Sequence, residues 1–150
     1  MKKLIDVYVY RISSGKPEFL LLLRSKKKIY ANQWRMVGGK VKEGESYWQA
    51  ALRELDEELA VKPSEFWVLP SVNTFYEANT DQVHHIPAFA AQFSDDAELI
   101  LNEEHTTYRW VSVDEIEPML AWPEQKRLIR LANQLILDQQ ILPEWRVELP

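Results

Sequence analysis

Apolar residues in the first part of the chain come in short runs rich in β-branched and aromatic side chains, the pattern of buried or half-buried strands. Leu4 to Ile12 and Glu18 to Arg24 are two such runs, with Ser13-Ser14-Gly15-Lys16-Pro17 as turn material between them. Trp34 to Val37 reads as a shorter third strand. The period then changes: Trp48, Ala51, Leu52, Leu55 and Leu59 return to one stripe at steps of three and four. That spacing predicts a helix with the stripe against the core. Phe66 to Glu77 and Val83 to Phe93 revert to strand character around the turn Ala78-Asn79-Thr80-Asp81, and are expected to pair as a hairpin. Ser94 to Leu101 reads as an acidic loop and Tyr108 to Val113 as another strand. A short helix begins at Val113-Asp114-Glu115-Ile116, and Pro123 opens a longer one carrying Leu128, Leu131, Leu135 and Ile136 at helical spacing. The tail from Gln140, with two prolines, reads as irregular. Mixed strands with one central and one C-terminal helix predict an α/β fold, helices covering both faces of a mixed sheet.

The polar positions around the central helix carry more than its apolar stripe. Gly38 and Gly39 read as a glycine turn before it, Gly44 as a second bend, and Ser46 followed by Gln49 as a capping box that starts the helix near Ser46 or Tyr47. Glu54, Glu57 and Glu58 stand at i, i+3 and i+4, expected on the side opposite the stripe. Like charges at that spacing cost an isolated helix roughly 0.2–0.5 kcal/mol. A bound divalent ion would turn the repulsion into binding, and oxygen-only donors suit magnesium or manganese. A solvated acidic face, with Arg53 paired to Glu57, is the alternative for the trio taken alone.

Composition narrows the partners. The 150 residues suit one domain over 1–150, and the net charge of −5 argues against a broad nucleic-acid or anionic-membrane surface. With 0 cysteines, neither a disulfide framework nor a thiolate metal site can form. No segment has the length of an apolar membrane span, so a cytoplasmic location is expected. Arg24, Lys26, Lys27 and Lys28 cluster in a polar segment running to Asn32, readable as a solvated loop or as a phosphate contact.

The stretch from Gly39 to Val61 resembles the signature of the Nudix hydrolases at Gly39, Glu45, Arg53, Glu54, Leu55, Glu57, Glu58 and Val61. Ala60 departs from it, standing where that family usually has glycine; a left-handed cap strains alanine, so the helix is expected to end differently. The resemblance implies an α/β/α sandwich and hydrolysis of a nucleoside diphosphate linked to another moiety, with magnesium as cofactor and manganese able to substitute. It also implies Glu57 and Glu58 as principal metal ligands, Glu54 as a third and the Gly39 carbonyl as a backbone ligand. Glu45 and Arg53 would hold the turn against the helix, Arg53 counting with Glu54, Glu57 and Glu104 in the catalytic set. For the base that activates water, Glu54 or Glu57 and Glu103 or Glu104 are the candidates.

The segment Glu104-His105-Thr106-Thr107-Tyr108-Arg109-Trp110 resembles a Glu-His-x-x-Tyr-x-Trp pattern of Nudix members acting on dinucleoside polyphosphates and on dATP or dihydroneopterin triphosphate. His105 itself reads as a structural hydrogen-bonder. The expected function is therefore release of pyrophosphate from a nucleoside or pterin triphosphate, leaving the monophosphate. Asymmetric cleavage of dinucleoside polyphosphates and a non-catalytic nucleotide sensor are the alternatives. Arg24 is the candidate phosphate contact, and Trp34, Phe75, Tyr76 and Phe89 are candidates for flat contact with the base. At least one of His84 and His85 should point away from the core, and their spacing does not suit zinc. The expected partner is a small nucleotide or pterin triphosphate, bound by a monomer or homodimer, with no nucleic acid and no membrane.

Overall fold

Side chains alternate across a strand, so β1 (Leu4–Ser13) feeds two cores because both of its faces are apolar. Val7 and Val9 enter one core with Leu20, Leu22 and Phe66; Tyr8 and Tyr10 enter the other with Phe19, Leu21 and Trp67. Helix α1 (Tyr47–Leu59) closes the first through Ala51, Leu55 and Leu59. On the opposite face, α3 (Pro123–Leu137) closes the second through Leu128, Ile129 and Ala132, following the short helix α2 (Val113–Ile116). This is the α/β/α sandwich that the family resemblance implies, with helices on both faces of the sheet as the strand and helix pattern predicts. The computed structural model describes residues 2–28 and 30–150; Met1 lies outside them, as does Ile29 in the basic segment 24–32.

Among the described residues the sheet has seven strands. β2 (Lys16–Arg24), β3 (Trp34–Arg35), β5 (Glu65–Glu77) and β6 (Gln82–Gln92) join β1 in the order β3-β2-β1-β6-β5. β4 (Val37–Lys40) adds to β1 and β7 (His105–Val111) to β2. Among the paired strands of the described residues only β1 and β6 run parallel, so the sheet is mixed. β5 and β6 form the expected hairpin. The strand read from Tyr108 begins at His105 instead, because pairing with Arg24 of β2 extends it past the last apolar position. The tail is less irregular than its prolines suggest: after a turn of 3-10 helix at Pro143–Trp145, the Val147 N–H donates to the Phe66 carbonyl at 2.9 Å.

Two glycine-signature expectations change. Gly38 and Gly39 do not form a turn; they continue β4, opposite Asp6 and Ile5 of β1. What requires glycine there is closeness: a Cβ on Gly38 would stand 3.1 Å from the Ile5 carbonyl oxygen, and one on Gly39 would overlap the Glu54 side chain. The reversal comes later, where the Glu45 N–H bonds the Lys42 carbonyl at 3.0 Å and Gly44 takes φ +83°. At the other end Ala60 adopts the left-handed cap after all, with φ 56° and ψ 37°, its N–H donating to the Asp56 carbonyl. The helix therefore ends as a glycine-capped one would, and carries strain of roughly 1–2 kcal/mol for doing so.

Candidate active site

The site is built from the start of α1 outward. Ser46 Oγ accepts the Gln49 N–H at 3.2 Å and Gln49 Oε1 accepts the Ser46 N–H at 2.9 Å, so the capping box fixes the first turn. Two turns on, the Arg53 guanidinium ties three segments together. Its Nε and Nη2 donate to both Glu45 oxygens at 2.7 and 3.0 Å, and Nη2 reaches the Lys40 carbonyl at 2.8 Å. Its Nη1 donates to Glu54 at 2.8 Å and to Glu57 at 3.2 Å. The Arg53 fork and the Lys42 N–H hold the Glu45 carboxyl down at about 2. Arg53 thereby locks the loop, β4 and the helix into one unit and fixes the direction of the Glu54 carboxylate.

The three helix glutamates do not share one outward face. Glu54 is 8% exposed and Glu58 only 1%, whereas the Glu57 side chain is 47% exposed and lies 3.8 Å from Lys42 Nζ. Strand β4 and the start of β7 cover the flank of α1 that carries Glu54 and Glu58, which a helical projection of the sequence does not contain. There the Glu58 carboxylate faces the His105 ring, Oε1 to Nδ1 at 3.5 Å, with Glu104 beside them. Donor atoms of Glu58, Glu104 and His105 all lie within 4.8 Å of one another. Arg24 approaches Glu104 at 3.6 Å. Burial, reinforced by the Glu104 and Glu54 carboxyls, pushes Glu58 far above the usual carboxylate range. Burial, aided by Arg24 and Arg35, holds His105 down at about 4, so its ring is neutral near pH 7.

A second group, which the sequence reading largely missed, lies beyond Arg24. The Arg35 guanidinium sits 4.6 Å over the Tyr30 ring and 5.3 Å over the Trp122 ring. Trp122 also meets Phe75, with centroids 5.5 Å apart. Beneath them Asp6, buried in β1, accepts from Asn73 Nδ2 at 2.8 Å and also bonds Gln125. Burial raises the Asp6 pKa against those hydrogen bonds and the Arg35 charge. Among the described residues, the Tyr8 hydroxyl, Asn73 Oδ1, Gln125 Oε1, Arg35 Nη1 and Trp122 Nε1 are buried without a partner, so hydrogen-bonding capacity is left over in this region. The sequence signal was Asp6, an acid inside the apolar run from Leu4 to Tyr10.

Of the residues expected to contact substrate, Arg24 lies beside the carboxylates and Trp34 is half-buried on β3 next to Arg35. Phe89 is corrected: it is 3% exposed and stacked on Phe66 at 5.3 Å beneath α1, a core residue whose ring no ligand can reach. Tyr76 is corrected too. Strand alternation sends Phe75, not Tyr76, to Trp122, and the exposed Tyr76 bonds Asp81 at the hairpin turn. His84 is buried against Phe75 and His85 is exposed.

The donor set fits a divalent cation. Among the described residues, Glu58 Oε2 and His105 Nδ1 are buried without a hydrogen bond, and the carboxyls of Glu54, Glu58 and Glu104 crowd one another. Carboxyls so crowded are relieved either by a proton, as the raised Glu58 shows, or by a cation that takes the proton's place.

An α/β/α sandwich with a glutamate helix clamped by arginine to a glycine strand defines a Nudix-type hydrolase. The NUDIX domain family matches residues 2–132, and the chain belongs to that family as a pyrophosphohydrolase. It is 28% identical over 130 residues to the asymmetrical bis(5'-nucleosyl)-tetraphosphatase of Caenorhabditis elegans, spanning 85% of this chain and 91% of that protein. The rat enzyme of the same name is 31% identical over 121 residues, 79% of this chain and 80% of its own length. A crystal structure of a C. elegans Ap4A hydrolase binary complex superposes with a TM-score of 0.77, covering 92% of this chain and 99% of that one; at 24% identity the likeness speaks for the fold.

Proposed function

We propose that the chain cleaves dinucleoside polyphosphates asymmetrically, releasing a nucleoside monophosphate and the remaining nucleotide. The observation that carries a nucleotide substrate is the order of groups: carboxylates at Glu54, Glu58 and Glu104, then the cations Arg24 and Arg35, then the rings Tyr30, Trp122 and Phe75. That order parallels a reacting phosphate, a polyanionic chain and a base. The two-ended substrate is favoured over the triphosphate by the asymmetrical tetraphosphatases among the relatives. The triphosphate reading, dATP or dihydroneopterin triphosphate, remains second, because the Glu104-His105 segment suits both.

Glu57 and Glu58, with the Gly39 carbonyl, would hold magnesium, or manganese in its place, which supplies charge neutralisation and activation of water, while Glu54 would serve as the base. The rest falls to the chain's own side chains. Arg24 and Arg35 bind the anionic phosphates, and Tyr30 and Trp122 offer flat surface to a base. Arg53 occupies one Glu54 oxygen. The other oxygen takes the proton of the attacking water as the new P–O bond forms and the anhydride P–O bond breaks, its electron pair leaving on the departing phosphate.

Incubation with Ap4A, dATP and dihydroneopterin triphosphate in magnesium, with separation of products, tests this. ATP and AMP from Ap4A support the proposal. Monophosphate and pyrophosphate from the triphosphates alone would replace it with the second reading, and tight nucleotide binding without turnover would revive the sensor.

A further inference from the structure

The imidazole of His105 is placed as no hydrogen-bonding histidine needs to be. It opens β7, opposite Arg24 and just past a register shift in β2, and its side chain is only 2% exposed. Nδ1 faces Glu58 Oε1 at 3.5 Å without bonding it, and among the described residues it has no partner; nor has Glu58 Oε2. A ring N–H and a carboxylate that simply paired would close to about 2.7–2.9 Å. Two donors on one ion, each about 2.1 Å from it, stand roughly 3–3.5 Å apart. The gap has the width of a shared cation, and the nearby Glu104 supplies a third donor.

We propose that His105 Nδ1 is a metal ligand, making with Glu58 and Glu104 a mixed nitrogen–oxygen site that takes manganese or cobalt, which accept a nitrogen donor, more readily than magnesium. The inference rests on the metal-dependent reading above and adds a nitrogen donor and the Glu104 carboxylate to the oxygen ligands it names. Magnesium prefers an all-oxygen shell, whereas imidazole suits later metals, so one nitrogen shifts the preference of the whole site. His105 also lies on a different element from the helix glutamates, and its contribution can be removed without touching them.

The test is manganese bound to the full chain, read by electron spin echo modulation and by titration of the bound ion. The parent is expected to show nitrogen modulation from a coordinated ring, changed by 15N-histidine labelling and absent in His105→Gln. That variant should bind manganese at least tenfold more weakly while its magnesium affinity changes less than threefold. The spectrum of the labelled parent decides even if the variant folds poorly. Manganese bound with no histidine modulation and with parental affinity in His105→Gln overturns the nitrogen ligand alone, leaving the gap to a buried water. A parent that binds no manganese overturns the metal-dependent reading as well.

Discussion

Gly39 lies so close to Glu54 that the carboxyl group fills the space a Cβ would need. Gly39 is in an extended strand, so its requirement is for room and not for unusual backbone angles. Gly39→Ala is therefore expected to push Glu54 off its Arg53 bond or to lift β4 from α1. Overpacking of this kind costs about 1–3 kcal/mol. Turnover should fall by two orders of magnitude or more, since a carboxylate moved by an ångström no longer meets its target. Kinetics with a melting curve would check this; a variant with parental turnover shows that Glu54 has no positional role.

Glu57 separates the metal site from a surface ion pair. Its carboxylate meets Arg53 and Lys42 on a half-exposed flank, contacts worth at most about 1 kcal/mol together. Glu57→Gln should leave the metal-free melting temperature nearly unchanged, because Arg53 retains Glu45 and Glu54. It should lose most of the stabilisation that magnesium gives the parent, and be nearly inactive. Turnover within a few fold of the parent would remove Glu57 from the site.

The buried Glu58–His105 pair makes the metal-free protein pH-sensitive in two directions. Glu58 is raised in the fold, so its contribution is fully present below the ordinary glutamate value of about 4.3 and is lost as pH rises toward the folded value. His105 is lowered to about 4, so its contribution is present above about 6.5 and is lost as pH falls toward the folded value. Between the two unfolded values they oppose each other. Above neutrality only Glu58 of the pair still titrates. Stability in chelator should therefore decline from about pH 7 to 9, by at most about 1.4 kcal/mol per pH unit. Denaturant unfolding of the parent and of Glu58→Gln checks this: the variant should lose the alkaline slope, and equal slopes would rule Glu58 out as its source.

Ala60→Gly should stabilise. Relief of the left-handed strain, about 1–2 kcal/mol, outweighs the extra freedom glycine brings to the unfolded chain, about 0.4–1 kcal/mol. Thermal unfolding should show a rise of a few degrees with unchanged activity, and a fall in melting temperature would mean the cap is not strained.

Whatever depends on period or on a local hydrogen bond could be read from the chain. The two-strand start, the β5–β6 hairpin, α3 from Pro123 and the Ser46–Gln49 capping box all stand where spacing put them. That Glu45 and Arg53 hold the turn against the helix is what the signature resemblance implies, whereas their direct ion pair is visible only in the structure. What stayed hidden depends on which distant elements touch. Glu54 and Glu58 look solvent-facing on a helical projection, and only the arrival of β4 and β7 buries them. Phe75 and Tyr76 are equivalent in sequence until a strand face is chosen. Tyr30, Arg35 and Trp122 come from three segments, and nothing local links them.

The parallel pairing of β1 with β6 sets when this enzyme can exist during its own synthesis. Asp6 to Tyr10 are made before their neighbours Ala88 to Gln92, which follow only after the signature helix and half of the hairpin. Until then β1 holds β2 and β4 with one edge bare, and His105 is later still. Such non-local closure is slow and leaves an unpaired edge on the nascent chain. A ribosome stalled before β6 would carry the glutamate helix but no finished sheet, so nucleotide cleavage has to wait until β6 and β7 have been made.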